Sequence, residues 1–153
     1  MTMVRMDTVV ERATGWLARH SIDVLRISVG LVFFGFGVLK FFPGVSPAQE
    51  LAVRTLEKLS MGILSGEGAL LTTAIAECVV GITMITGKLL KLGLVVLAAS
   101  LVGILSPLVL FFTDLFPGAP TLEAQYILKD IVLAAAGLVI AARALGARLV
   151  AGT

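Results

Sequence analysis

Five ionisable residues stand inside long apolar runs of this 153-residue chain: Arg26, Lys40, Glu77, Lys129 and Asp130. A charge at the centre of a membrane helix costs about 2.5–3.5 kcal/mol on insertion scales, so each needs a partner or a wet cavity. Spacing indicates which can meet. Arg26, Gly30, Phe33, Gly37 and Lys40 fall on one stripe of a helix, because residues three and four apart are neighbours. Glycines on that stripe let an adjoining helix approach closely. Thr73, Glu77 and Gly81 make a second polar stripe, and Tyr126 shares a face with Asp130 while Gln125 and Lys129 share the adjacent one. Asp23, one turn before Arg26, is placed to pair with it.

Two acids and two lysines in an apolar bundle are compatible with distinct chemistries. One is a compensated network, Glu77 with Lys129 and Lys40 with Asp130, that holds helices in register. The other is a polar pocket for a ligand headgroup, or a proton relay, built from Lys40, Glu77, Lys129 and Asp130 with Tyr126 and Gln125 at its edge. Neither assigns a catalytic role to any residue. Depth supports the grouping, since Glu77 and Asp130 each lie roughly 12–14 Å along their helices at about 1.5 Å per residue.

The elements that must position these groups are apolar runs of spanning length, roughly twenty residues each. They cover 22–42, 68–86, 89–112 and 122–143. The runs are too long for barrel strands, and backbone in lipid must satisfy itself, so helices are expected. Short links at Gly87-Lys88 and across 113–120 favour antiparallel neighbours. The fold expected is all-α: a polytopic up-down bundle of four transmembrane helices with a short amphipathic amino-terminal helix. Residues 1–21 form the cytoplasmic amphipathic segment, 22–143 the membrane domain and 144–153 a cytoplasmic tail.

In that first segment Met6, Val9, Val10, Ala13, Trp16 and Leu17 recur at helical spacing opposite Arg5, Arg12 and Arg19, the pattern of a helix lying on headgroups. It lacks a continuous apolar core, so no cleavable signal is expected and the first apolar run acts as an anchor. The external stretch 43–67 contains Ser46-Pro47-Ala48-Gln49, a helix start with proline at the first position and glutamine three after the cap. Leu51, Thr55, Leu56 and Leu59 give the helix that follows an apolar face. Pro107 is expected to kink the third span. Orientation follows the basic residues. Arg5, Arg12, Arg19, Arg26, Lys88, Lys91, Arg143 and Arg148 mark one side against Lys40, Arg54 and Lys58 on the other. Both termini are therefore expected in the cytoplasm.

Composition agrees with lipid as solvent: 58% of residues are hydrophobic and only 14% charged, where a soluble domain has about 25% charged residues. A small net charge of +2, with no basic patch interleaved with aromatics, argues against nucleic acid as a partner. One cysteine, Cys78, excludes an internal disulfide, and one histidine, His20, excludes a multi-histidine metal site. No metal or intrinsic cofactor is expected.

Three segments together resemble the DoxX family of membrane proteins. Residues 25–41 hold Arg26, Gly30, Phe33, Gly37 and a closing Lys40, like the first helix of that family. Residues 77–87, with Glu77 followed by Gly81 and Gly87, are similar to its second, and 121–130, ending in Lys129-Asp130, to its fourth. Asp130 stands where an amide is often found. The resemblance implies a four-helix membrane protein, in some members tied to quinone-linked thiosulfate oxidation or to complexes that resist oxidative stress. It makes an accessory subunit of a membrane redox system the leading expectation, with quinone as the ligand implied. A non-enzymatic scaffold, binding a protein partner or a second copy, is one alternative. A small-solute or lipid carrier is another. A stand-alone enzyme is disfavoured, because catalysis would rest on a charge cluster alone.

Overall fold

A computed structural model of the chain describes residues 2–42, 44–46 and 49–150, the first few by their backbone only. Among these every regular element is a helix. In chain order they are α1 (Thr2–Leu39), α2 (Gln49–Leu59), α3 (Gly66–Thr86), α4 (Leu90–Leu105), α5 (Pro107–Leu110), α6 (Phe112–Leu115) and α7 (Leu122–Ala144). Among the described residues, three helical stretches are long and apolar enough to cross a membrane: Thr8–Leu39, Gly66–Thr86 and Leu90–Leu110. The chain is a membrane protein, and a lipid bilayer is its surroundings.

The amino-terminal helix forms, but it is not a separate element. It runs unbroken into the first span as one helix of 38 residues, about 57 Å long against a hydrocarbon core of about 30 Å. Nothing in the local sequence breaks it, since Ala18 to Leu25 holds neither glycine nor proline. The apolar side chains Val9, Val10, Trp16 and Leu17 stay exposed along it. Trp16 stacks on His20, ring centres 5.1 Å apart.

The long helices close a ring. α1 packs on α3, α3 on α4, α4 on α7, and α7 returns to α1. The turn between α3 and α4 is made by Gly87 at φ 70° and Leu89 at φ 53°, and the Gly87 N–H donates to the Thr83 carbonyl at 2.9 Å. The helix of the third span is interrupted at Ser106, just before Pro107. Proline has no N–H to offer one turn back, and the Ser106 hydroxyl donates to the Gly103 carbonyl instead, at 2.9 Å. α7 begins with Thr121, whose side chain accepts from the Ala124 N–H at 3.2 Å.

Two apolar clusters fill the ring at different heights. Val29, Phe33, Val80, Met84, Leu97, Leu101, Ala136 and Ile140 join α1, α3, α4 and α7. Leu51, Leu115, Ala124 and Ile127 join α2, α6 and α7 nearer the other end. α1 closes level with Glu77, so the part of α3 from Gly66 onward, about 16 Å at 1.5 Å per residue, lacks α1 beside it. α2 takes that place against α3, turning Leu51 and Thr55 inward. Its start differs in detail from the expected capping box. Gln49 accepts from the Gly44 N–H at 3.0 Å, the Ser46 hydroxyl is buried without a hydrogen-bond partner among the described residues, and Pro47 and Ala48 lie outside those residues.

Candidate functional site: a polar layer between two apolar cores

Lys40 ends α1 in a turn whose N–H donates to the Gly37 carbonyl at 3.2 Å. From there its side chain reaches α3, and Nζ donates to Glu77 Oε2 at 2.6 Å. Both residues are buried, at 7% and 8% exposure. Close approach of the two backbones makes this contact possible. A Cβ on Gly37 would lie 3.0 Å from Glu77 Cβ and from the Cys78 N and Sγ, and one on Gly81 would lie 2.6 Å from Phe34 Cβ. A Cβ on Gly30 would meet Met84 and Ile85 at 2.9 Å. The glycine stripe of α1 therefore faces α3 along its length.

Asp130 of α7 is half-buried and near enough to Glu77 and Lys40 to interact electrostatically with both. It has no hydrogen bond or salt bridge among the described residues. The layer so formed is one cation between two carboxylates, set between the two apolar clusters. This corrects the expected pairing: Glu77 is matched by Lys40, not by Lys129. Lys129 is on the outside of α7, its Nζ 5.1 Å from the centre of the Tyr126 ring, and Tyr126 is itself 48% exposed. Gln125 is exposed too and donates to the Pro120 carbonyl at 3.3 Å. Of the six residues grouped from the sequence, Lys40, Glu77 and Asp130 meet; Gln125, Tyr126 and Lys129 do not join them.

Arg26 lies at the other end of the α1–α3 contact. It pairs with Asp23 at 3.7 Å, as spacing suggests. It also donates to the carbonyl of Met84 and, at 3.3 Å, to that of Ile85. These carbonyls belong to the last turn of α3, where backbone acceptors lack helical partners and a cation is favoured by the helix dipole. Sequence reading missed this cap, although Gly87 marks the helix end that Arg26 serves. It also missed the clamp between α2 and the link before α7. Arg54 pairs with Asp114 at 3.1 Å, and Arg54 and Lys58 lie over the Phe111 ring at 4.7 and 5.0 Å. The signal was present as an acid opposite the basic face of α2.

Among the described residues no group of three or more histidine, cysteine, aspartate or glutamate side chains is arranged to hold a metal. The layer's resources are hydrogen bonding, charge and proton exchange. An all-helical membrane bundle with a buried charged layer defines the class. Within it, the DoxX family model matches residues 21–113, more than half the chain, and the protein belongs to the DoxX family. That match takes in Arg26, Lys40 and Glu77; α7, with Lys129 and Asp130, lies beyond it. No curated protein and no solved structure matches the chain.

Proposed function

We propose that this protein is an accessory subunit of a membrane redox system, and that its polar layer takes the headgroup of a quinone. In this reading α7, about 34 Å long at 1.5 Å per residue, is the fourth span, and the excess of Lys and Arg on the side of both termini holds them in the cytoplasm.

The observation that carries the reading is the Asp130 carboxylate. Lys40 and Glu77 already neutralise one another, so a second acid beside them is not needed for charge balance. A half-buried carboxylate without a hydrogen bond is costly, and a ligand bearing polar oxygens in an apolar body relieves that cost. Quinone chemistry couples electrons to protons. Lys40 can donate to a ligand oxygen, and Glu77 and Asp130 can hold or pass a proton beside it. Lysine and carboxylate side chains do not carry electrons, which a partner subunit must supply.

Native mass spectrometry of the protein, extracted from its own membrane in mild detergent, tests this. Retained quinone that is lost in Asp130→Asn, with the melting temperature unchanged, is the expected result. Wild-type protein that retains no quinone overturns the reading.

One observation favours a scaffold instead. Lys129 presents an ammonium group on the outer side of α7, where Tyr126 is the contact it makes among the described residues. An acidic residue of another subunit would complete it. A stable protein partner in the same spectra, without quinone and lost in Lys129→Ala, selects that reading.

A further inference from the structure

Three arginines far from the polar layer converge on a second feature. Where α7 ends, the Gly146 N–H donates to the Arg143 carbonyl at 3.1 Å and the Ala147 N–H to the Ala142 carbonyl at 3.0 Å. With Gly146 at φ 105°, this is the Schellman arrangement that reverses the chain after a helix. The reversal returns Arg148 toward Arg143 and toward Ala18 and Arg19 of α1. Together they line an open cleft of about 450 Å³. The Arg19 guanidinium folds back toward Gly15, one turn earlier on α1.

None of these three guanidinium groups has a carboxylate partner among the described residues, whereas Arg26 and Arg54 each do. Three like charges around one cleft repel unless an anion sits between them. The end of α7 contributes only about half a negative charge, and its Ala142 and Arg143 carbonyls are already occupied. Guanidinium groups match the planar spacing of phosphate oxygens and bind them in bidentate fashion.

We propose that the cleft lined by Arg19, Arg143 and Arg148 is a phosphoryl-anion site. Two sources can provide such a group: the headgroup of an anionic phospholipid, or phosphate free in solution. The site stands independently of the redox reading, since it shares no residue with the polar layer.

The test uses the full-length protein in mild detergent. Native mass spectrometry with added phosphatidylglycerol, and separately with phosphatidylcholine, reads the lipid arm. Calorimetric titration with inorganic phosphate reads the soluble arm. Replacing Arg19, Arg143 and Arg148 together by Gln is compared with a control of equal charge, Arg12, Lys88 and Lys91 together to Gln. The expected result is preferential retention of phosphatidylglycerol or binding of phosphate, weakened by about tenfold or more in the cleft variant, equivalent to roughly 1.4 kcal/mol or more, and little changed in the control. Replacement of the three arginines by Lys retains charge without the bidentate geometry and should fall between. Retention of phosphatidylglycerol with no phosphate response identifies lipid as the source; the reverse identifies the soluble anion. Failure of wild type to bind either, or equal losses in cleft and control variants, overturns the site. Melting temperatures are measured for every variant, and one that has lost its cooperative transition is replaced by the three single Arg→Gln changes, judged by the same criterion.

Discussion

Lys40 and Glu77 meet at 2.6 Å with almost no exposure; removal of Lys40 leaves two carboxylates in the layer without a cation, and removal of Glu77 takes away the hydrogen-bonded partner of Lys40 and leaves Asp130 as the acid near it. Breaking a buried pair from one side costs about 3–5 kcal/mol. Lys40→Ala and Glu77→Ala should each lower stability on that scale, and the double variant should cost less than their sum. Thermal unfolding in detergent followed by circular dichroism measures this; strictly additive losses would break the pairing. The limit of the sequence is clear at this scale. Rise along a helix places Glu77, Lys129 and Asp130 at similar depth, and spacing puts Lys129 and Asp130 on adjacent faces, but neither says which face turns inward. Consecutive residues point about 100° apart on a helix with 3.6 residues per turn, so Lys129 and Asp130 do not share one inward direction. The packing of α7 against α1 and α4 turns Asp130 in and Lys129 out, a choice that depends on the whole bundle.

At the scale of the element, the closeness of α1 and α3 rests on their glycines. Gly81→Ala places a methyl group 2.7 Å from the Phe34 backbone, where a shift of one helix is required. Such overpacking costs about 1–3 kcal/mol. Gly35 belongs to α1 as well, yet a Cβ there meets nothing within 4 Å, and Gly35→Ala should stabilise by up to about 1 kcal/mol through helix propensity. Melting temperatures that fall for the first and hold or rise for the second are expected; equal effects would remove the distinction. Three of the four expected spans and the α2 helix were legible in advance because apolar length and turn residues are local signals. The continuity of α1 was not. Arg19, Asp23 and Arg26 resemble a boundary in a hydropathy trace, but charged residues do not end a helix, and the backbone passes through them.

For the whole molecule, the order along the bundle is apolar, polar, apolar, with a long helical extension on one side. Residues of that extension should remain in water while the cores do not. In a Cys78→Ser background, Glu11→Cys should react with a membrane-impermeant maleimide only when the cytoplasmic face is exposed, and Ala136→Cys, in the buried core, should not react from either side. Labelling of Glu11→Cys from the opposite face would reverse the proposed orientation. The fold class, its membrane setting and the family were readable from 153 residues, since each depends on composition or short motifs. How α2 substitutes for α1 beside the Gly66 end of α3 was not readable, because it depends on where α1 stops relative to a helix that follows it.

The Lys40–Glu77 bond also bears on how the protein is made. Its partners are separated by 37 positions in the chain. At about 5–20 residues per second of synthesis, roughly 2–7 s pass between the emergence of the lysine and that of its counter-charge. During that interval the lysine lacks the acid it meets in the folded bundle, so the contact that locks α1 to α3 can form only after both helices have been made.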